Sequence, residues 1–263
     1  MSRFLYGINP VLEALRAHPG DVVRVLVERG KGGRLSSGGE RVALAAAEHR
    51  VPVVEVAPQD LSRRSAGGVH QGVGAELREF VYAEPEDLLE LAQASGRPPF
   101  LLALDGVTDP QNLGALVRSA HALGAHGVVV PKDRAAGITP AAAKAAAGAL
   151  EHCRVAQCTN LARTIEQWKE AGVWTVALAA DGDKELAQID LTSPIALVMG
   201  SEGKGVRPLV RKTCDHVARI PMGGNVGSLN VAAAGAISLY EVARQRTAAR
   251  PRQDAAGHRP LDT

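Results

Sequence analysis

Asp105-Gly106-Val107-Thr108-Asp109-Pro110-Gln111-Asn112-Leu113-Gly114-Ala115-Leu116-Val117-Arg118-Ser119-Ala120 joins two kinds of structure in one stretch. It follows an unbroken apolar run at residues 100–104, which has strand length. Within it, Leu113, Leu116, Val117 and Ala120 recur at helical spacing, and Leu123 extends the same stripe just beyond. The reading is a strand, a polar turn, and a helix over residues 112–123. A strand that is apolar on both faces needs cover on both sides. The remainder of the chain supplies it. Further strand-like runs at 127–130, 173–178, 195–199 and 217–220 alternate with helical segments at 140–150, 161–171, 206–213 and 228–246. This alternation predicts an α/β domain over residues 100–247, a parallel sheet with helices on both faces.

Upstream, residues 1–80 read as a small α/β unit. Its helix runs from Asn9 to Ala17, with Asn9-Pro10 as cap and first turn, and strands fall at 22–27 and 53–56. Between those strands, the glycines of residues 30–39 predict a mobile, positively charged loop, either a plain linker or an RNA grip. Residues 67–73 form a second flexible turn before a strand. Residues 81–99 contain Pro85, Gly96, Pro98 and Pro99 and one acidic helix over 86–94, which predicts a connection between two domains. Residues 248–263 lose apolar periodicity and predict a disordered tail.

Hydrophobic residues make up 46% of the chain, enough for a buried core, while aromatics at 3% leave Leu, Val, Ile and Ala to fill it. The balance of 30 Lys+Arg against 28 Asp+Glu is too even to identify a nucleic-acid partner, so any basic surface must be local. Cys153, Cys158 and Cys214 make neither a disulfide framework nor a zinc set, and read as buried thiols in a reducing interior. No apolar run reaches the roughly 18–20 residues of a membrane span, and the first residues lack a signal-peptide core. The expectation is a soluble, cytoplasmic protein.

The common nucleotide signatures are missing. Gly200-Ser201-Glu202-Gly203-Lys204-Gly205 has the wrong glycine spacing for a phosphate loop and no Ser or Thr after the lysine. No Gly-x-Gly-x-x-Gly follows a strand, which weakens a nicotinamide-dependent oxidoreductase. Neither a His-Glu-x-x-His metal motif nor a Gly-x-Ser-x-Gly nucleophile turn is present. Three unusual segments remain, each at the end of an expected strand: residues 105–120, 197–206 and 220–232. Ligands of open parallel sheets bind beyond the carboxyl ends of the strands, so all three can converge on one site.

In order, spacing and residue choice these segments resemble the signature motifs of the SpoU/TrmH family, the SPOUT-class RNA 2′-O-methyltransferases. Tyr6-Gly7-Ile8-Asn9-Pro10-Val11-Leu12-Glu13-Ala14-Leu15 and Val69-His70-Gln71-Gly72-Val73 resemble that family's small RNA-binding domain. They point to the subgroup that methylates a guanosine ribose of 23S rRNA. The resemblance implies S-adenosylmethionine as cofactor, a C-terminal trefoil knot, RNA as partner and a homodimer. It implies cofactor contacts at Gly200, Ile220 and Leu229, with Met222 lining the adenine pocket. Arg118 matches the catalytic arginine, with Asn112, Glu202, Ser228 and Asn230 around it and no metal.

The family role of that arginine is to activate the ribose hydroxyl, as a base or, because guanidinium stays protonated, as a clamp on phosphate and oxygen charge. Glu202 is expected to orient Arg118, and His121, one turn further on, could face the same cleft. Bland readings stand beside these: Asn112, Ser228 and Asn230 sit where helix caps are expected, and Arg118 alone is a surface arginine. Helix residues Val231, Ala234, Ile237, Ser238 and Val242 form a stripe for a dimer interface or an internal core. Methylation of tRNA or another rRNA site, and a non-catalytic RNA-binding module on the same fold, are the competing functions.

Overall fold

A computed structural model describes residues 3–30, 34–224 and 227–249. The chain begins with β1 (Arg3–Tyr6), α1 (Ile8–Ala17), β2 (Val22–Glu28), α2 (Ser37–Glu48), β3 (Val53–Val56), α3 (Pro58–Arg64) and β4 (Val73–Leu77). These four strands form one mixed sheet in the order β1-β4-β2-β3, in which only the β2–β3 pair is parallel. After α4 (Pro85–Ala94) come β5 (Phe100–Asp105), α5 (Pro110–Ala122), β6 (Gly127–Pro131), α6 (Pro140–Ala146), β7 (Arg154–Cys158) and α7 (Leu161–Glu170). The chain continues through β8 (Trp174–Leu178), β9 (Lys184–Glu185), β10 (Ile195–Gly200), α8 (Pro208–Thr213), β11 (His216–Arg219) and α9 (Val231–Ala249). These seven strands form a parallel sheet in the order β7-β6-β5-β10-β8-β11-β9.

The predicted two-sided cover is present. Phe100, Leu102 and Leu104 on β5 pack with Leu113, Leu116 and Val117 of α5 and with Leu239 and Val242 of α9. Leu101 and Ala103, pointing the other way, pack with Leu161, Ile165 and Trp168 of α7 and with Leu88 of α4. The period of two along the strand thus feeds two separate apolar clusters. Gly114 lets α5 approach α6 closely, because a Cβ there would overlap the Ala142 carbonyl oxygen.

Several expectations change. The segment read as a mobile glycine loop is partly helix: α2 starts at Ser37, its first turn capped by Ser36 Oγ accepting from Gly39 N at 3.0 Å. Gly38 is buried there against Ile8, which a Cβ at that position would overlap. Residues 31–33 lie outside the described set. The helix expected over 140–150 stops at Ala146, where Ala147 and Gly148 take positive φ of 49° and 94° and a 3-10 turn follows. The helix expected from residue 228 begins at Val231 and runs to Ala249, and the one expected from 206 begins at Pro208. Of the expected tail, residues 248–249 complete α9 and 250–263 lie outside the described residues. The segment 81–99 docks on the large sheet: Ala83 bridges Ala156, and Leu88 and Ala92 are buried.

The two sheets meet through β1, α1 and α6. Arg3 on β1 donates twice from Nη2 to the Glu151 carboxylate, at 2.9 and 3.0 Å, with side chains only 11% and 3% exposed. Its guanidinium lies over the Phe80 ring, and its Nε and Nη1 are buried without a partner among the described residues. Nearby, Lys144 of α6 reaches over the Tyr6 ring to donate to the Val69 carbonyl at 2.5 Å.

Candidate active site

Three strand ends build the site. β10 ends at Gly200 and turns sharply through residues 201–205, closed by Ser201 N to Gly205 O at 3.1 Å and Gly205 N to Ser201 O at 2.9 Å. Gly203 and Gly205 hold φ of 79° and 65°, a region that favours glycine. Gly200 itself faces this turn so closely that a Cβ would overlap the Gly205 carbonyl carbon. The segment after β11 brings Ile220, Met222, Ser228 and Leu229 across from it. Between them lies a cleft of about 630 Å³, within the range of small-molecule sites.

All four residues expected to contact a cofactor, Gly200, Ile220, Met222 and Leu229, line this cleft. So do Glu202, Ser228 and Asn230. Asn112, 8% exposed, reaches its mouth from the first turn of α5. Asn112 Nδ2 donates to Glu202 Oε1 at 2.8 Å, and Asn230 Nδ2 donates to the same oxygen at 2.8 Å and to Asn112 Oδ1 at 3.1 Å. One residue from each of the three segments therefore meets at a single point. A second tie, not anticipated, joins the first two: the buried Asp105 carboxylate accepts from Arg207 N at 2.7 Å and from Arg207 Nε at 2.6 Å.

Arg118 is not part of this cluster. It is exposed, carries no hydrogen bond or ion pair among the described residues, and does not line the cleft of its own chain. Helix geometry gives the reason: six residues from Asn112 turn the helix through about 600°, leaving Arg118 roughly 120° around from it. Glu202 therefore orients two amides instead of the arginine. His121 stacks on His152 with ring centroids 5.4 Å apart, and burial with the neighbouring His152 charge lowers its pKa. Of the expected caps, only Asn230 caps a helix, its Oδ1 accepting from Ala232 N at 2.9 Å and Ala233 N at 3.3 Å. Asp109 caps α5 in place of Asn112, and Ser228 lies three residues before α9.

The sequence reading missed the far wall of the cleft, Leu178 to Asp181 and Arg211. Arg211 donates to both Asp181 oxygens at 3.0 Å and holds that carboxyl below its ordinary pKa. The signal was available, since residues 179–182 also leave the carboxyl end of a strand. Cys153, Cys158 and Cys214 are free thiols; burial pushes Cys153 and Cys214 up to about 12, and Cys158 upward as well. Thiols of this kind are inert packing groups.

The pattern of the SpoU rRNA Methylase family matches residues 99–240, which include every residue of the cleft. The chain belongs to the SpoU rRNA methylase family. A second pattern, RNA 2′-O ribose methyltransferase substrate binding, matches residues 4–83. The chain is 42% identical over 243 residues to the 23S rRNA (guanosine-2′-O-)-methyltransferase RlmB of Pseudomonas putida, covering 92% of this chain and 96% of that one. It is 44% identical to an uncharacterized tRNA/rRNA methyltransferase of Mycolicibacterium vanbaalenii, over 94% of this chain and 78% of that one. Among solved structures, the SpoU methyltransferase AviRb of Streptomyces viridochromogenes in complex with AdoMet superposes with a TM-score of 0.77 at 27% identity, covering 95% and 92% of the two chains. An AdoMet-bound rRNA methyltransferase of Sinorhizobium meliloti does so at 0.73 and 26%, covering 92% and 87%.

As a SpoU methylase the chain is an RNA 2′-O-methyltransferase that uses S-adenosylmethionine. The cleft fits that molecule. Its walls combine apolar side chains (Met199, Ile220, Met222, Leu229) with exposed main chain at Gly200 and Gly203–Gly205, a donor set suited to a nucleoside with a short charged tail.

Proposed function

We propose that this SpoU methylase methylates the ribose 2′-hydroxyl of a guanosine in 23S rRNA, as a homodimer in the cytoplasm. The observation that carries the reading is the Asn112–Glu202–Asn230 triangle at the cleft mouth. The 42% identity to the Pseudomonas putida enzyme, which is named for 23S rRNA guanosine, supports the choice of nucleotide. Among the described residues no helix is long and apolar enough to cross a membrane.

S-adenosylmethionine, when bound, supplies a methyl group that already carries its leaving group. Gly200, Ile220, Met222 and Leu229 would hold it by main chain and apolar contact. The remaining task is to line up the ribose oxygen and manage its proton. Within the triangle, Asn230 has both amide hydrogens and its oxygen engaged, so it is a positioning residue. Glu202 Oε2 and the second amide hydrogen of Asn112 remain open, and with the Ser228 hydroxyl they can meet the acceptor ribose. Arg118 stays protonated; its role in this reading is to clamp a neighbouring phosphate and offset charge on the oxygen as the hydroxyl proton passes to water or to the open Glu202 Oε2.

Because Arg118 lies outside the cleft of its own chain, that role needs a second copy, with Arg118 of the partner subunit at the rim. On α9, Val231, Ser238 and Val242 of the expected stripe are buried within the chain, Ala234 is half-buried and Ile237 is exposed, so the stripe is divided between core and surface. The helix's outer side exposes Ile237 by 44% and Tyr240 by 57%, and this is the face we assign to the dimer. The trefoil knot belongs to the same reading.

The test is transfer of labelled methyl groups to total bacterial RNA, followed by mapping of alkali-resistant riboses. Label at a single guanosine of 23S rRNA is expected. Label confined to tRNA, or cofactor binding without transfer, would overturn the assignment.

A further inference from the structure

The six residues 132–137 between β6 and α6 take no part in the cleft, yet they stand beside it. They leave the carboxyl end of β6, at the same edge of the sheet as the turns after β5 and β10. A Cβ on Gly106 would lie 3.8 Å from both the Arg134 carbonyl oxygen and Ser201 Cβ. Ser201 lines the cleft, so Arg134 is separated from the cleft wall by little more than the width of one glycine.

The segment's main chain is pinned at both ends. Lys132 N donates to Cys158 O at 2.8 Å, Ala136 N donates to Val107 O at 2.8 Å, and Ile138 N donates to the Tyr82 hydroxyl at 2.9 Å. Its side chains are free. Lys132, Asp133 and Arg134 are exposed, and none makes a hydrogen bond or ion pair with another described residue. Arg134 also holds φ of 59°, a left-handed conformation in which a glycine would sit without strain. Strain tolerated at an exposed position next to a binding cleft points to a use for the side chain. Lys204 lines the cleft from the same turn as Ser201, so a further cation stands on this wall.

We propose that this segment is a phosphate clamp, in which Lys132 and Arg134 seat the RNA backbone flanking the methylated nucleotide. The inference rests on RNA being the substrate and goes beyond it by naming the groups that hold the strand. A rigid loop presenting unpaired cations suits a polyanion: phosphate contacts fix register and orientation without reading sequence. Asp133 between the two cations leaves the segment at a net charge of only +1, so it guides a strand already delivered by other contacts rather than capturing it from solution.

The experiment uses the full chain and a 23S rRNA transcript, with binding followed over a KCl titration. In the double variant Lys132→Gln/Arg134→Gln, the slope of log affinity against log salt should fall by roughly 0.7–0.9 for each phosphate contact removed. KM for the transcript should rise about tenfold while kcat stays within about twofold, the signature of lost ground-state binding. Calorimetric affinity for S-adenosylmethionine should not change. Arg134→Gly separates strain from charge: it should lower the salt slope by one contact and melt no lower than the parent, whereas Arg134→Lys should restore the slope. An unchanged slope and KM in the folded double variant overturns the clamp. A change in oligomeric mass with the slope unchanged also overturns it, assigning the loop to a contact between copies. If the parent chain transfers no methyl group to the transcript and the slope still falls, the clamp stands and the choice of target fails.

Discussion

The two ends of the seven-stranded sheet use polar groups in opposite ways. At the amino edge, Arg246 of α9 donates to four carbonyl oxygens, those of Pro98, Pro99, Leu191 and Ser193, and stacks on the Phe100 ring. Beside it, the buried His126 ring accepts from Phe100 N at 3.0 Å through Nδ1, and its Nε2 lies 2.9 Å from Ser95 Oγ. Donors and acceptors there are matched within the protein. At the carboxyl edge, Lys132 and Arg134 have no such partners, nor does Arg118 further along α5, and the Asn112–Glu202–Asn230 triangle keeps one oxygen and one amide hydrogen open. A saturated polar group holds a fold together, and an open one in a fixed position is available to a substrate.

That contrast can be broken by experiment. Arg118→Ala should reduce methyl transfer by about 10²–10³-fold, the effect of losing one charge-stabilising donor, with cofactor affinity and melting temperature unchanged. A transfer rate within twofold of the parent would remove Arg118 from the mechanism. Arg246→Ala should do the reverse. It leaves the buried or half-buried Leu191 and Ser193 carbonyls without their donor, strips one of two donors from Pro99 O, and should cost about 2–3 kcal/mol, seen as a fall in Tm of roughly 5–10 °C, while the folded fraction keeps its kcat. An undiminished Tm would mean that water replaces the guanidinium.

Glu202→Ala should lower kcat roughly tenfold by releasing both asparagine amides, with Glu202→Gln losing less because an amide oxygen can still accept from them. Equal losses in the two variants would show that charge on Glu202, and not its grip on the amides, is what matters. The last test, at His126, reads a change of stability with pH and not a loss of activity. Burial, reinforced by the Arg97 and Arg246 charges, lowers its pKa from 6.5 to about 4 in the folded chain. Its contribution is fully present above the unfolded value of about 6.5 and is lost as pH falls toward about 4, at roughly 1 kcal/mol per pH unit. Denaturant melts at pH 7, 6 and 5 should therefore converge for the parent and His126→Gln as the medium is acidified. Parallel curves would assign the acid sensitivity to carboxylates instead.

Much of this architecture was legible because apolar spacing reports burial directly. The run at β5 and the stripe on α5 were both read in place, since each is buried on the faces its period implies. What escaped was set by neighbours. β7 is an edge strand whose polar ends and exposed Arg154 hide its buried Val155 and Ala156. α2 was hidden by two glycines, of which Gly38 serves close packing against Ile8 and not flexibility. At the site, motif order brought the right residues together but not the right pairs. Spacing along a helix fixes the angle between Asn112 and Arg118, and that angle already separates the two.

The Arg3–Glu151 ion pair has one more consequence. Two guanidinium nitrogens sit dry beside it and would regain water if the sheets parted, so what holds the joint shut is the single apolar cluster that runs past the pair from Leu5 and Leu15 to Phe100 and Leu113. The joint therefore behaves as a weld rather than a hinge. An RNA hairpin gripped by the small sheet would reach the cleft at a preset span, and distance along the folded RNA becomes a means of choosing which ribose is modified. The protein would then measure its target as a caliper does, with no base having to be recognised at the point of reaction.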